Sequence, residues 1–378
     1  MKPLALERGG PFDGRVVIVT GHTGFKGSWL TEWLLMLGAQ VVGIALPPPS
    51  SPSLFDQLGL ASRIEHHILD ICDREALSRL VRETQPDFVF HLAAQPLVRR
   101  SYSEPVETWA TNVMGTTHVL DALRALGFDY RREGRHCTGV FITSDKCYEN
   151  REWVYGYREN DALGGHDPYS ASKAAAEIVI AAYRRSYFEA SGERSSVGIA
   201  AVRAGNVIGG GDWAVDRIVP DCIRHLSAGA EIPVRNPWAT RPWQHVLEPL
   251  GGYLQLAAAI DEALASYNQP RLRQLCSAFN FGPALNANQS VGVLVEEVLK
   301  YWPGSWLDES GGQAPHEASR LNLVSDKAFH ELAWSWTWDF HQVVARTIRW
   351  YKEVAASPSE ARRLTQADIR AYCAARAC

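Results

Sequence analysis

"RVVIVTGHTGFKGSWL", residues 15–30, runs a short β-branched stretch into a glycine-spaced turn and then into an apolar helical stretch. Gly21, Gly24 and Gly27 stand three residues apart. A glycine at the turn lets the chain reverse, one without a side chain lets backbone N–H groups approach an anion, and one early in the helix permits close packing. The helix N-terminus then faces that anion. In a chain with 30 glycines such spacing arises by chance, so position decides: this match follows the first strand of a long strand–helix series, the context that a dinucleotide turn requires. The expected cofactor contacts here are Gly21, Thr23, Gly24, Phe25 and Gly27.

The series continues outward from that turn. "AQVVGIAL" and "IEHHIL" read as the second and third strands, with helices over 28–38 and 73–84 around them. "DFVFHLAA", a long helix over 105–126, "GVFITS", a helix over 168–190 and "SSVGIAAVR" follow. Apolar strands alternating with helices predict an α/β protein, a Rossmann-type doubly wound parallel sheet with helices on both faces. Ligands in such sheets bind beyond the carboxyl ends of the strands, which adds Leu92, Ala93 and Ala94 to the cofactor contacts and Gln95 to the substrate contacts. After residue 203 the order loosens. "GNVIGGGDW", "NPWATRPWQHV" and "NFGPALNANQS" alternate with helices over 217–228, 245–266 and 290–301. Residues 1–203 are expected to be predominantly the dinucleotide-binding domain. Residues 204–355 are expected to form a smaller substrate-binding lobe, some segments of which return to the first domain; the tail, 356–378, is read as an added surface helix or a partly disordered segment.

Composition narrows the function classes. An apolar fraction of 46% and a formal net charge of -4 suit a soluble globular protein and offer no broad basic surface for nucleic acid. The start "MKPLALERGGPFDG" lacks the apolar run of a signal peptide, and no stretch has the length needed to cross a bilayer, so the cytoplasm and no membrane partner are expected. Seven cysteines at irregular spacing suit a reducing compartment, and neither they nor the histidines form a metal motif.

Chemistry gathers at two places. In "DPYSASKAAAEIVI" Tyr169 and Lys173 stand four apart at the start of a helix and share one face. A cation beside the phenol favours the phenolate, which takes a proton from a hydroxyl while hydride leaves the same carbon. Ser144, at the end of the "GVFITS" strand, then donates to the developing carbonyl oxygen. Asp70 in "ILDICD" is placed to receive the adenine amino group, with Ile71 on the ring; alternatively Asp70 caps the next helix, as Asp73 can too. The second strand ends in "IALPPPS" with neither an acid for a ribose diol nor an arginine cluster, leaving NAD and NADP undecided by pattern. Asn206, Arg235 and Arg241 are candidates for a substrate diphosphate, because arginine offers a planar fork to phosphate oxygens. Trp213, Trp238 and Trp243 read either as pocket walls or as core. Asn112 in "WATNVMGT" is either a hydrogen-bonding group of the active site or a helix-interior residue tied to backbone.

With "GHTGFKGSWL", "PPPSSPSLF", "TSDKCYEN", "LGGHDPYSASKAAAE", "GNVIGGGDW" and "RPWQHVLEPL" in view, the chain resembles the extended short-chain dehydrogenase/reductase family over nearly its whole length, and within it the NAD-dependent sugar-nucleotide dehydratases. The resemblance implies tightly held NAD, CDP-D-glucose as substrate and CDP-4-dehydro-6-deoxy-D-glucose as product, early in making deoxysugars for surface polysaccharide. It also implies a homodimer joined by helices of the first domain, with a tetramer as the alternative. Ser144, Tyr169 and Lys173 take the hydride centre, and Asp145 and Lys146 the elimination centre. The wider family pairs its catalytic Asp with a Glu, where this chain has Lys146. An ammonium has no lone pair, so Lys146 serves as the C5 base only as a neutral amine; otherwise it stabilises an enolate or holds Asp145. A sugar-nucleotide epimerase and a non-catalytic NAD-binding regulator are the rival classes. Asp145 and Lys146 favour elimination over epimerisation, and the intact Tyr169/Lys173 pair opposes a dead enzyme.

Overall fold

Val16–Thr20 (β1) is buried from Val17 onward, and the computed structural model, which describes Leu6 and residues 9–189, 196–310 and 321–376, places it in the interior of a seven-stranded sheet. The other strands are Gln40–Ala45 (β2), Glu65–Ile68 (β3), Phe88–His91 (β4), Cys137–Ile142 (β5), Val197–Ala204 (β6) and Ala278–Phe281. Their order is Ala278–Phe281, β6, β5, β4, β1, β2, β3, and every pairing is parallel. Strand order reverses between β1 and β4, so the crevice that receives a ligand opens at the carboxyl ends of those two strands.

Sequence periodicity located six of these strands. The seventh, "AFNF", lies in the stretch read as loosely ordered, beside Gly- and Asn-rich sequence, and pairing with β6 fixes it as strand. The long helix expected over 105–126 runs as Pro105–Trp109, a π-helical turn Ala110–Gly115 and Thr116–Glu133. That wide turn holds Asn112, and such turns recur at functional sites.

Three two-stranded sheets stand beside the main one among the described residues: Val207–Ile208 with Gln244–His245, Thr240–Pro242 with Asn288–Ser290, and Ile232–Val234 with Trp306–Asp308. The helix Leu247–Ala265 is buried along nearly its whole length and packs on β5 and β6, which returns it to the main sheet. The tail is a helix, Ala361–Arg376, that buries Leu364, Ile369 and Tyr372. It packs on the first helix, Phe25–Met36 (α1), where Gln366 Nε2 donates to the buried Glu32 at 2.7 Å. Among the described residues no helix is long and apolar enough to cross a membrane.

Candidate active site

The turn after β1 is shaped by what its glycines exclude. Gly21 has φ +77°, and a Cβ there would lie 2.7 Å from the Ala93 nitrogen. At Gly27 a Cβ would lie 2.1 Å from the Gly21 oxygen, whereas at Gly24 it would meet only that oxygen, at 3.4 Å, and otherwise open space. α1 has neither a side-chain cap nor an acidic residue in its first turn. Its first N–H groups therefore face that space without a protein acceptor, which fits a dinucleotide pyrophosphate. Thr23 donates its hydroxyl to the Leu46 carbonyl at 2.9 Å. Leu92, Ala93 and Ala94 follow β4, the Ala93 N–H donating to Thr20 Oγ1 at 3.2 Å. Asp73, not Asp70, caps the helix Arg74–Thr84. Asp70 is exposed, and its carboxylate accepts the Cys72 N–H at 2.8 Å, while Ile71 is buried against Gly115.

β5 delivers Ser144 and Asp145 to the same crevice. Ser144 caps a short turn, Asp145–Cys147, by accepting the Lys146 N–H at 3.2 Å, and its hydroxyl donates to Asp145 Oδ1 at 3.0 Å. Asp145 is buried; Lys146 is half-buried. Gly205 closes over the carboxylate, since a Cβ there would sit 3.2 Å from Asp145 Oδ2. The helix Pro168–Tyr183 begins under an Asp167 cap, and the Tyr169 N–H donates to Ser101 Oγ at 3.1 Å. Tyr169 and Lys173 are both buried. Burial pushes the Tyr169 phenol up to about 12; the Ser144 hydroxyl and the more distant Arg217 oppose the rise, and the Asp145 charge adds to it. Burial also lowers Lys173 to about 8, against the charges of Glu177 and Cys147.

Two residues that sequence reasoning did not select belong to this cluster. Arg217, anchored on Asp212 at 2.8 Å, is the cation whose charge reaches the Tyr169 phenol. Lys26, inside the quoted turn, is pushed down to about 8 by burial and by Arg217 and Lys173, with Asp145 opposing. Its position between Gly24 and Gly27 was the available signal.

The remaining candidates divide. Asn112 is buried and tied to backbone and side chain: Oδ1 accepts the Gln95 N–H at 2.8 Å, while Nδ2 donates to the Gln95 carbonyl at 3.1 Å and to Ser172 Oγ at 2.9 Å. It thus ties the loop after β4 to the Tyr169 helix. Gln95 commits its amide to Thr108 Oγ1 and to Leu97. Arg241 is buried on Thr240–Pro242, Gly205 lies between the Pro242 ring and the Asp145 carboxylate, each 3.2 Å from where its Cβ would stand, and Asn206 is half-buried after it. Arg235 is exposed and pairs with Asp216 at 3.0 Å. Trp243 is core, Trp213 packs edge-on against Tyr351, and Trp238 is exposed.

A dinucleotide turn, a buried Tyr/Lys pair and a serine at the end of the neighbouring strand, on this sheet order, define an extended short-chain dehydrogenase/reductase of the nucleotide-sugar dehydratase and epimerase type. The family described as GDP-mannose 4,6 dehydratase matches residues 18–347, and the chain belongs to it. It is 46% identical over 344 residues to the CDP-glucose 4,6-dehydratase of Salmonella typhimurium, covering 90% of this chain and 91% of that one. The dTDP-glucose 4,6-dehydratase of the same organism is 24% identical, over 89% and 92% of the two chains. Among solved structures, the dTDP-glucose 4,6-dehydratase of Streptomyces venezuelae with NAD bound aligns with TM-score 0.71 at 22% identity, over 90% of this chain and 98% of that one. The UDP-glucose 4-epimerase of Thermus thermophilus in complex with NAD aligns with TM-score 0.71 at 21% identity, over 89% and 99%.

Proposed function

We propose that the protein is a CDP-D-glucose 4,6-dehydratase, converting CDP-D-glucose to CDP-4-dehydro-6-deoxy-D-glucose and water. The observation that carries this reading is the meeting of Ser144, Asp145 and Tyr169 at the carboxyl end of β5, opposite the glycine turn, in a chain 46% identical to a protein of that name. Bound NAD supplies a hydride acceptor for the first half of the reaction and a donor for the last. The turn from Gly21 to Gly27 with Leu92–Ala94 would hold it, with Lys173 as the proposed partner of its ribose.

Tyr169 takes the proton of the sugar C4 hydroxyl, and Ser144 donates to the oxygen that becomes the C4 ketone. The ketone acidifies the C5 proton. A base removes that proton while Asp145 protonates the departing C6 hydroxyl, and C5 is reprotonated at the close. Burial alone opposes the Tyr169 phenolate, so Ser144 and Arg217 are the groups that favour it. Lys146 is the proposed C5 base, with no carboxylate pairing its side chain among the described residues. Lys26 is the alternative, because the charge of the Asp145 carboxylate acts on its amine. Arg241, Arg235, Gln95 and Asn206 are the proposed substrate contacts.

A homodimer through the helices Thr116–Glu133 and Pro168–Tyr183 is supported by Phe128 and Ile178, exposed on that face, and by Tyr187 under the Arg124 guanidinium at 5.4 Å; a tetramer is the further alternative. The six described cysteines are free, which suits the proposed cytoplasmic location. Product mass tests the activity: purified protein with CDP-glucose yields a product lighter by one water, whereas an unchanged mass with an altered C4 configuration points to an epimerase and no product at all to a binding protein.

A further inference from the structure

Behind the catalytic turn lies a buried ion pair that none of these steps uses. Glu177, one helical turn beyond Lys173, meets Arg203 of β6 at 2.7 Å, and both side chains are almost fully enclosed. The other Glu177 oxygen accepts the Thr143 hydroxyl at 2.5 Å. Arg203 Nη1 donates to the Tyr148 phenol oxygen at 2.6 Å and to the Glu159 carbonyl at 3.0 Å, and Tyr148 in turn donates to Asn280 Oδ1 at 2.8 Å. Thr143 directly precedes Ser144, and Tyr148 directly follows the turn Asp145–Cys147. The pair therefore clamps both ends of the segment that carries Ser144, Asp145 and Lys146. A buried pair gains little net stability over apolar packing, because desolvating two charges offsets most of their attraction.

We propose that Glu177 is a positioning residue of the catalytic centre: it holds the Ser144–Lys146 turn in register with the Tyr169 helix through Thr143 and, four residues beyond Lys173 on one helix face, places a carboxylate charge near its amine. This rests on the dehydratase reading above. Around Lys173 stand Glu177 on its own helix, Cys147 of the catalytic turn, Lys26 of the glycine turn and His91 of β4. Tyr169, Asp145 and Arg217 are the further titratable and charged groups of the cluster, and Arg203 acts on Glu177 from the far side. With Glu177 neutral, the ammonium loses the carboxylate that favours it, while burial and the Lys26 cation still oppose it.

The test is Glu177→Gln in the NAD-loaded protein. The alkaline limb of kcat/KM for CDP-glucose moves to lower pH by about one unit or more, the shift that removal of a close opposite charge produces. Glu177→Asp keeps the limb at its wild-type pH with a reduced kcat. Thr143→Val lowers kcat and leaves the limb in place. NAD affinity across the same pH range, measured without substrate, reads Lys173 independently of turnover, so a failure of the dehydratase reading and a failure of this proposal give different results. Should Glu177→Gln not fold, the double variant Glu177→Gln/Arg203→Met leaves no uncompensated buried charge and reads the same two quantities. A lowered melting temperature with both pH profiles unmoved reduces the pair to a structural part and overturns the proposal.

Discussion

Two alanines placed three residues apart separate the fold of the glycine turn from its function. Gly24 is the N-cap of α1 with φ -79° and ψ 170°, an extended conformation open to alanine. A Cβ there makes one ordinary contact, at 3.4 Å. Gly24→Ala therefore loses no more than about 1 kcal/mol, the usual penalty of alanine at an N-cap, and melts roughly 2–4 °C lower without NAD. Its methyl group projects into the space before the first turn of α1, so NAD affinity falls at least about tenfold, or ~1.4 kcal/mol. Gly27→Ala is different: its Cβ would stand 2.1 Å from the Gly21 oxygen and 2.7 Å from the His22 Cα, backbone atoms that cannot rotate aside. Such overpacking costs about 1–3 kcal/mol, and it displaces the turn itself, so stability and binding fall together. Scanning calorimetry of the NAD-free proteins beside titration calorimetry of NAD reads both quantities. Equal destabilisation by the two alanines, or wild-type NAD affinity in Gly24→Ala, would refute the reasoning.

Tyr169→Phe keeps the buried ring and loses the proton acceptor, so melting stays near wild type while kcat drops on the order of a hundredfold or more; wild-type oxidation in a single turnover moves the base elsewhere. Lys146→Met still oxidises CDP-glucose but stalls before water loss, with C5 exchange in deuterated water greatly slowed; native exchange in that variant together with its loss in Lys26→Met transfers the base to Lys26. Burial holds His22 down at about 4 and His91 and His245 at about 3, so the folded protein binds fewer protons than the unfolded chain. The stability they contribute is present above about pH 6.5 and is lost as pH falls toward those values, each ring adding up to about 1.4 kcal/mol per pH unit; urea unfolding from pH 7 to 4 checks this, and a flat profile contradicts it.

How much of this was legible depended on whether the signal was local. β1, the glycine turn and α1 form one continuous stretch, and Tyr169 and Lys173 share a helical face by spacing alone. Arg217 could not be picked that way, since it belongs to the site through a loop that folds back and pairs it with Asp212. Lys26 was in plain view, but the groups whose charges act on it, Asp145, Lys173 and Arg217, come from segments more than 100 residues away. The C-terminal helix reads as an amphipathic surface element because its partner face, on α1, is more than 300 residues away in sequence. Arginine spacing likewise gave no warning that Arg235 pairs with Asp216.

The central claim is a hydride taken from C4 and returned to C6 within one closed site. Turnover of CDP-glucose deuterated at C4, with product and cofactor analysed by mass spectrometry and absorbance, tests it most directly. The label is expected at C6 of a product that has lost one water, with no net accumulation of NADH. Deuterium lost wholly to solvent, or a full equivalent of free NADH for each product molecule, would contradict the closed cycle.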